Sequence, residues 1–296
     1  MRWRGRRRSD NVEDRRGAAG AAGMGALAFF IIRFVFSRFG IVGVVVLVGG
    51  YFGLRQIGID PLLVLNGQTA SLGGGQTQLT EADREEGAFV AVILAETEDT
   101  WTRRFAEAGR RYEQPGLVLF SRNTVSGCGQ ASAAMGPFYC PADGKAYLDT
   151  NFFAELSRRF GAPGDFAAAY VIAHEVGHHV QTITGVTGRA RQAQAAAGGV
   201  ESNRIQVRME LQADCYAGIW AHDADRTAGI LEPGDIEEGL RAAAAIGDDT
   251  LQRRSGRQAR QETFTHGSSE QRMRWFSIGY RDGSVAACDT FATDRL

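Results

Sequence analysis

The stretch VIAHEVGHHVQ, residues 171–181, carries three of the chain's five histidines within six positions. The run before it, AAAYVIA (residues 167–173), is apolar, and Asp165 is a fitting N-cap, so residues 165–185 read as one buried helix. Residues four apart on a helix share a face, so His174 and His178 can present two imidazoles to one ion. Glu175 lies about 100° around the cylinder, beside that ion but poorly placed to bind it. This is the H-E-x-x-H arrangement, in which two nitrogens hold zinc and the glutamate accepts a proton from a water that the ion activates. A glutamate buried beside two histidines with no ion would be costly, so the fold must supply a metal and a third donor. Gly177 leaves room for a second segment to come close.

Three protein ligands and one open position make a catalytic zinc site. His179 is five residues from His174, on the wrong face for the same ion, though four from Glu175 and able to lie alongside it. His222 and His266 are the other histidines. MELQADC places Glu210 and Asp214 four apart on one face of a later helix, expected from residue 203 onward. One of these acids can bind the ion while the other accepts the second N–H of a ligand histidine, His174 by preference. Glu210 as ligand with Asp214 as orienting acid fits both needs, but spacing alone leaves open which acid binds. His266, in FTHGSSEQR, is a candidate hydrogen-bond donor to the oxyanion of a tetrahedral intermediate.

The N-terminal third reads differently. Residues 1–38 hold nine arginines against Asp10, Glu13 and Asp14, a balance of +6; with −1 overall, the rest carries −7. Residues 34–54 are almost free of polar side chains and, at about 1.5 Å per residue, span roughly 31 Å, the thickness of a bilayer core. The sequence therefore predicts a basic cytoplasmic segment (1–33), a single transmembrane helix (34–54), a linker (55–80) and a zinc metallopeptidase domain (81–296). By the positive-inside rule that domain faces the periplasm or exterior. The basic cluster is thus assigned to the membrane and not to nucleic acid.

All four cysteines, Cys128, Cys140, Cys215 and Cys288, lie beyond residue 127. An even count in an exported domain favours two disulfides. Of the three pairings, Cys128–Cys140 closes a short loop and leaves Cys215–Cys288 to tie back the C-terminus. The periodicity predicts a helix over 81–111, a strand over 116–121, a hairpin over 136–149 turning at Asp143-Gly144, and a short helix over 152–160. Residues 185–199 read as a polar loop. Helices follow in IEEGLRAAAAIG and in SEQRMRWFSIGYR, where Ser268 and Gln271 have capping-box spacing. The fold class is α+β, predominantly helical, with a small antiparallel sheet.

HExxH followed on a second helix by E-x-x-x-D resembles the glutamate-zincins, the thermolysin-like zinc peptidases. More closely, MRWRGRRRSDNVEDRRG, HEVGHHVQ, ELQADC and THGSSEQRMRWF resemble the bacterial neutral zinc metallopeptidase family, over nearly the whole chain. The resemblance implies a zincin-like fold, His174, His178 and Glu210 as zinc ligands, Glu175 as general base, and hydrolysis of peptide bonds in a peptide or protein substrate. Two alternatives keep the zinc: a hydrolase of another amide, such as a cell-wall peptide, and a non-catalytic anchored protein in which zinc only stabilises the fold. Complete coordination by four protein ligands would mark the last.

Overall fold

Thr80 starts helix α1 (Glu81–Glu107) with a capping box, its side chain accepting from the Asp83 amide while Asp83 accepts from the Thr80 amide. Phe89, Val92, Ile93, Trp101 and Phe105 recur at helical spacing and are buried. Glu85, Glu96, Glu98 and Asp99 of the same helix receive the N-terminal arm. The computed structural model describes residues 1–16, 79–132 and 135–296. Met1–Arg15 and Thr80–Leu296 form one unit; the second unit, Arg16–Leu79, lies outside the described residues except at its ends.

Within the first unit the arm is held by specific contacts. Arg4 pairs with Glu85, Arg6 with Glu96 at 2.8 Å, and Arg7 with Glu98 at 3.1 Å and Asp99 at 2.8 Å. Trp3 is buried edge-on to Phe89, with ring centroids 5.4 Å apart. Strand β1 (Val12–Asp14) pairs in parallel with β2 (Gly116–Phe120), Val12 opposite Leu117. This overturns the topology expected from the arginine cluster, with a cytoplasmic N-terminus and the catalytic part across the membrane. The two ends of that topology share one unit, and Arg4, Arg6 and Arg7 pair with acids of α1. Among the described residues no helix is long and apolar enough to cross a membrane. The expected span, 34–54, and the expected linker apart from its last two residues lie outside the described residues.

The main sheet runs β1-β2-β6-β5, with β5 (Phe138–Cys140) at one edge and β6 (Lys145–Asp149) beside it. The expected hairpin forms between β5 and β6, turning through Gly144 at φ 69°. The expected all-antiparallel sheet does not: β1, β2 and β6 run parallel, and only β5 opposes its neighbour. Parallel neighbours need long crossovers, which the stretch containing α1 and residues 121–144 supply. A separate hairpin, β3 (Asn123–Ser126) with β4 (Gly129–Ser132), lies within the second of these.

Helices follow: α2 (Asn151–Arg158), α3 (Asp165–Ile183), α4 (Val186–Ala197), α5 (Gly199–Asp223), α6 (Asp235–Ala245), α7 (Asp248–Arg254) and α8 (Ser269–Asp282). The helix α4 replaces the loop expected over 185–199. Its alanines, arginines and glutamines are good helix formers, and the glycines are concentrated at its ends, Gly185 and Gly198 having φ 80° and 67°. Asp165 is the first residue of α3, with Gly164 as N-cap. At the centre α5 packs against α3, α4 and α8. Where α8 crosses it, a Cβ on Gly279 would lie 1.9 Å from the Cys215 carbonyl oxygen, so only glycine permits that approach. Both expected disulfides, Cys128–Cys140 and Cys215–Cys288, are formed.

Candidate metal centre

Helices α3 and α5 meet closely at Gly177, where an added Cβ would lie 3.0 Å from the Ala213 carbonyl oxygen and 3.1 Å from its Cα. The residues flanking that contact carry the polar groups. His178 follows Gly177, His174 precedes it by three, and Ala213 lies between Glu210 and Asp214 on the facing helix. The Glu210 Oε2 atom lies 3.2 Å from His174 Nε2 and 3.5 Å from His178 Nε2. One donor atom from each of the three side chains lies within 4.8 Å of the other two.

The far sides of these side chains are held as well. His174 Nδ1 lies 2.8 Å from Asp214 Oδ1, and His178 Nδ1 lies 2.9 Å from Gln181 Oε1. Each contact makes Nδ1 the protonated nitrogen and leaves Nε2 facing Glu210. Gln206 donates to Glu210 Oε1 at 2.8 Å, leaving Oε2 toward the imidazoles. Asp214 is fully buried and saturated: Tyr170 donates its hydroxyl to Oδ1, and Arg272 spans both oxygens at 2.8 and 2.9 Å. Burial opposes ionisation of Asp214, but Arg272 and then His174 outweigh it and hold the carboxyl at about 2. Burial likewise pushes His174 down, yet Asp214 and Glu210 raise it to about 10. Glu210 is held well below the usual carboxylate range by both imidazoles, against its burial.

Glu175 is buried, and burial raises its pKa against the pull of the two histidines. It opens onto a cavity of about 860 Å³ shared with His174, His178, Glu210 and His266. His266 is half-exposed, with Nδ1 3.3 Å from Asp248 Oδ1. That Asp248 bond raises the His266 pKa, burial opposing it. Asp248 also accepts the backbone amides of Thr265, His266 and Gly267, which fixes the loop ahead of α8. His179 and His222 stay apart from the cluster. Burial lowers the His179 pKa, and its Nε2 lies 2.6 Å from the Glu113 carbonyl; His222 Nδ1 lies 2.7 Å from that of Tyr280.

Sequence reasoning missed Asp248, Tyr170 and Arg272. A signal for Arg272 was available: it occupies the same apolar stripe of α8 as Trp275, Phe276 and Gly279, all buried. An arginine in a core stripe calls for a buried acid.

Two imidazole nitrogens and one carboxylate oxygen, each with its outer partner in place, make a donor set suited to zinc. A family described as "Putative neutral zinc metallopeptidase" matches residues 1–291. The chain belongs to the neutral zinc metallopeptidase family. Among relatives, the uncharacterized protein YpfJ of Escherichia coli K12 is 47% identical over 292 residues, covering 98% of this chain and 99% of its own. The uncharacterized protein Rv2575 of Mycobacterium tuberculosis H37Rv is 50% identical over 196 residues, 62% of this chain and 65% of its own. No solved structure matches. Membership in the neutral zinc metallopeptidase family covers the N-terminal arm as well as the His174–Glu210 cluster, in line with the packing of both in one unit.

Proposed function

We propose that the protein is a zinc-dependent endopeptidase, with His174, His178 and Glu210 as metal ligands and Asp214 as the orienting acid for His174. The observation that carries this reading is the convergence of two Nε2 atoms and one carboxylate oxygen in a cavity that also holds a buried carboxyl with a raised pKa, Glu175. A zinc ion there would supply Lewis acidity, polarising the scissile carbonyl and acidifying water. Glu175 accepts the proton of the attacking water and passes it to the leaving amine, a task for which a raised pKa suits it. His266, aligned through Nδ1 by Asp248, offers Nε2–H in its protonated form to the oxygen that gains charge.

The cavity wall supports an extended peptide as substrate. Phe138 and Tyr139 of β5 line it, and β5 is an edge strand in the described sheet, so its outward main-chain groups could pair with a peptide. The zinc-loaded protein should degrade an unfolded casein-type substrate, and Glu175→Gln should lower the rate a hundredfold or more, on the order expected for loss of a general base. No cleavage by the parent, or equal cleavage by the variant, would refute the proposal.

A further inference from the structure

Two glutamines lie in the motifs around the metal centre without touching the reacting groups: Gln181, the partner of His178 that ends HEVGHHVQ, and Gln212, within MELQADC. Both are buried. Gln181 Oε1 faces His178 Nδ1 at 2.9 Å, while its Nε2 donates to the Met209 carbonyl at 2.7 Å and to Gln212 Oε1 at 3.1 Å. Gln212 Nε2 in turn donates to the Cys288 carbonyl at 3.1 Å.

A backbone carbonyl can only accept, so the Met209 and Cys288 carbonyls fix which end of each amide is nitrogen. Gln181 must then show its oxygen to His178, and His178 must donate from Nδ1. Nothing in the relay is free to turn over. Met209 directly precedes Glu210, so the first link ties the orientation of one proposed ligand to the backbone carrying another. Cys288 is bonded to Cys215, the residue after Asp214, so the two histidines are braced through supports that end on one covalent cross-link.

We infer that Gln181 and Gln212 are positioning residues: a buried amide relay from the Cys288 carbonyl holds the His178 imidazole with Nε2 toward the metal, as Asp214 does for His174. This rests on the reading of the centre as a metal site. Outer partners of this kind typically govern metal affinity by about ten- to a hundredfold.

The test uses the full chain, with zinc affinity measured by competition with a chromophoric chelator and the histidine side-chain N–H signals followed by nitrogen-resolved NMR. Gln181→Leu is expected to weaken zinc binding by about ten- to a hundredfold and to abolish a slowly exchanging His178 Nδ1–H signal. Gln212→Leu should weaken zinc less, and speed exchange of that proton without abolishing the signal. A role in packing alone would lower the melting temperature and leave zinc affinity and the signal as in the parent, which overturns the inference. If Gln181→Leu fails to fold, Gln212→Leu decides by the same two readouts. Should the parent bind no zinc, the metal reading falls, and the protected Nδ1–H in the metal-free protein still shows whether the relay holds His178.

Discussion

Gly177→Ala tests whether the approach of α3 to α5 sets the centre. In an exposed helical position the change would stabilise by roughly 0.5–1 kcal/mol, because alanine loses less backbone entropy than glycine. Gly188 in α4 is such a position: a Cβ there meets nothing within 4 Å. At Gly177 the new methyl meets the Ala213 carbonyl oxygen at 3.0 Å and its Cα at 3.1 Å, both backbone atoms of a packed helix. The helices must part by a few tenths of an ångström, and overpacking of this kind costs typically about 1–3 kcal/mol. Set against the propensity gain, Gly177→Ala should destabilise by roughly 0–2.5 kcal/mol while Gly188→Ala stabilises. The separation falls on the axis joining His174 and His178 to Glu210, so zinc affinity should drop in the first variant and stay unchanged in the second. Urea unfolding of the metal-free proteins and chelator competition read the two effects. Equal stability of the variants, with zinc affinity at the parent's level in both, would refute the argument.

Asp214→Asn strips the buried Arg272 of its charge partner and should cost about 3–5 kcal/mol, whereas Asp214→Asn with Arg272→Met should cost less than the sum of the singles; denaturant cycles measure both. The raised His266 pKa means that any stability it contributes is complete below its unfolded value of 6.5 and is lost as pH rises through its higher folded value. Peptidase activity should accordingly fall on the alkaline side. Asp248→Asn, removing the carboxylate charge and so weakening the interaction that raises His266, should move that limb to lower pH, and an unmoved limb in a pH–rate profile would count against the oxyanion role. Replacing Cys215 and Cys288 by alanine opens a link across 73 residues, worth about 4 kcal/mol by chain entropy, against about 3 for the 12-residue Cys128–Cys140 link; thermal melts rank the two.

How much of this was legible in the sequence follows the range of the interactions. Helix α3, the Ser268 capping box and the hairpin turn at Gly144 depend on residues a few positions apart, and the pattern shows them. The pairing of HExxH with E-x-x-x-D is long-range, yet each half has a helical spacing that exposes its chemistry. Asp248 and Arg272 gave less away: they work through partners 18 and 58 residues distant, and although the α8 stripe marks Arg272 as buried, no local spacing names the partner of either. The arm is the clearest failure. Arginines 4, 6 and 7 read as a basic leader because their acids lie on α1, beyond residue 80. The parallel register of β1 on β2 was likewise invisible, since a three-residue strand carries almost no periodicity. In α4 the glycines at its ends dominated the reading, although the residues between them favour a helix.

The central claim is a zinc ion on two imidazoles and one carboxylate with a position open to solvent. X-ray absorption at the zinc edge, combined with metal content, measures it directly. The account predicts one zinc per chain with nitrogen and oxygen neighbours only, at about 2.0–2.2 Å, two of them imidazole and one from solvent. The count should fall in His174→Ala and His178→Ala. Zinc absent from the purified protein, or held by four protein ligands, would contradict it.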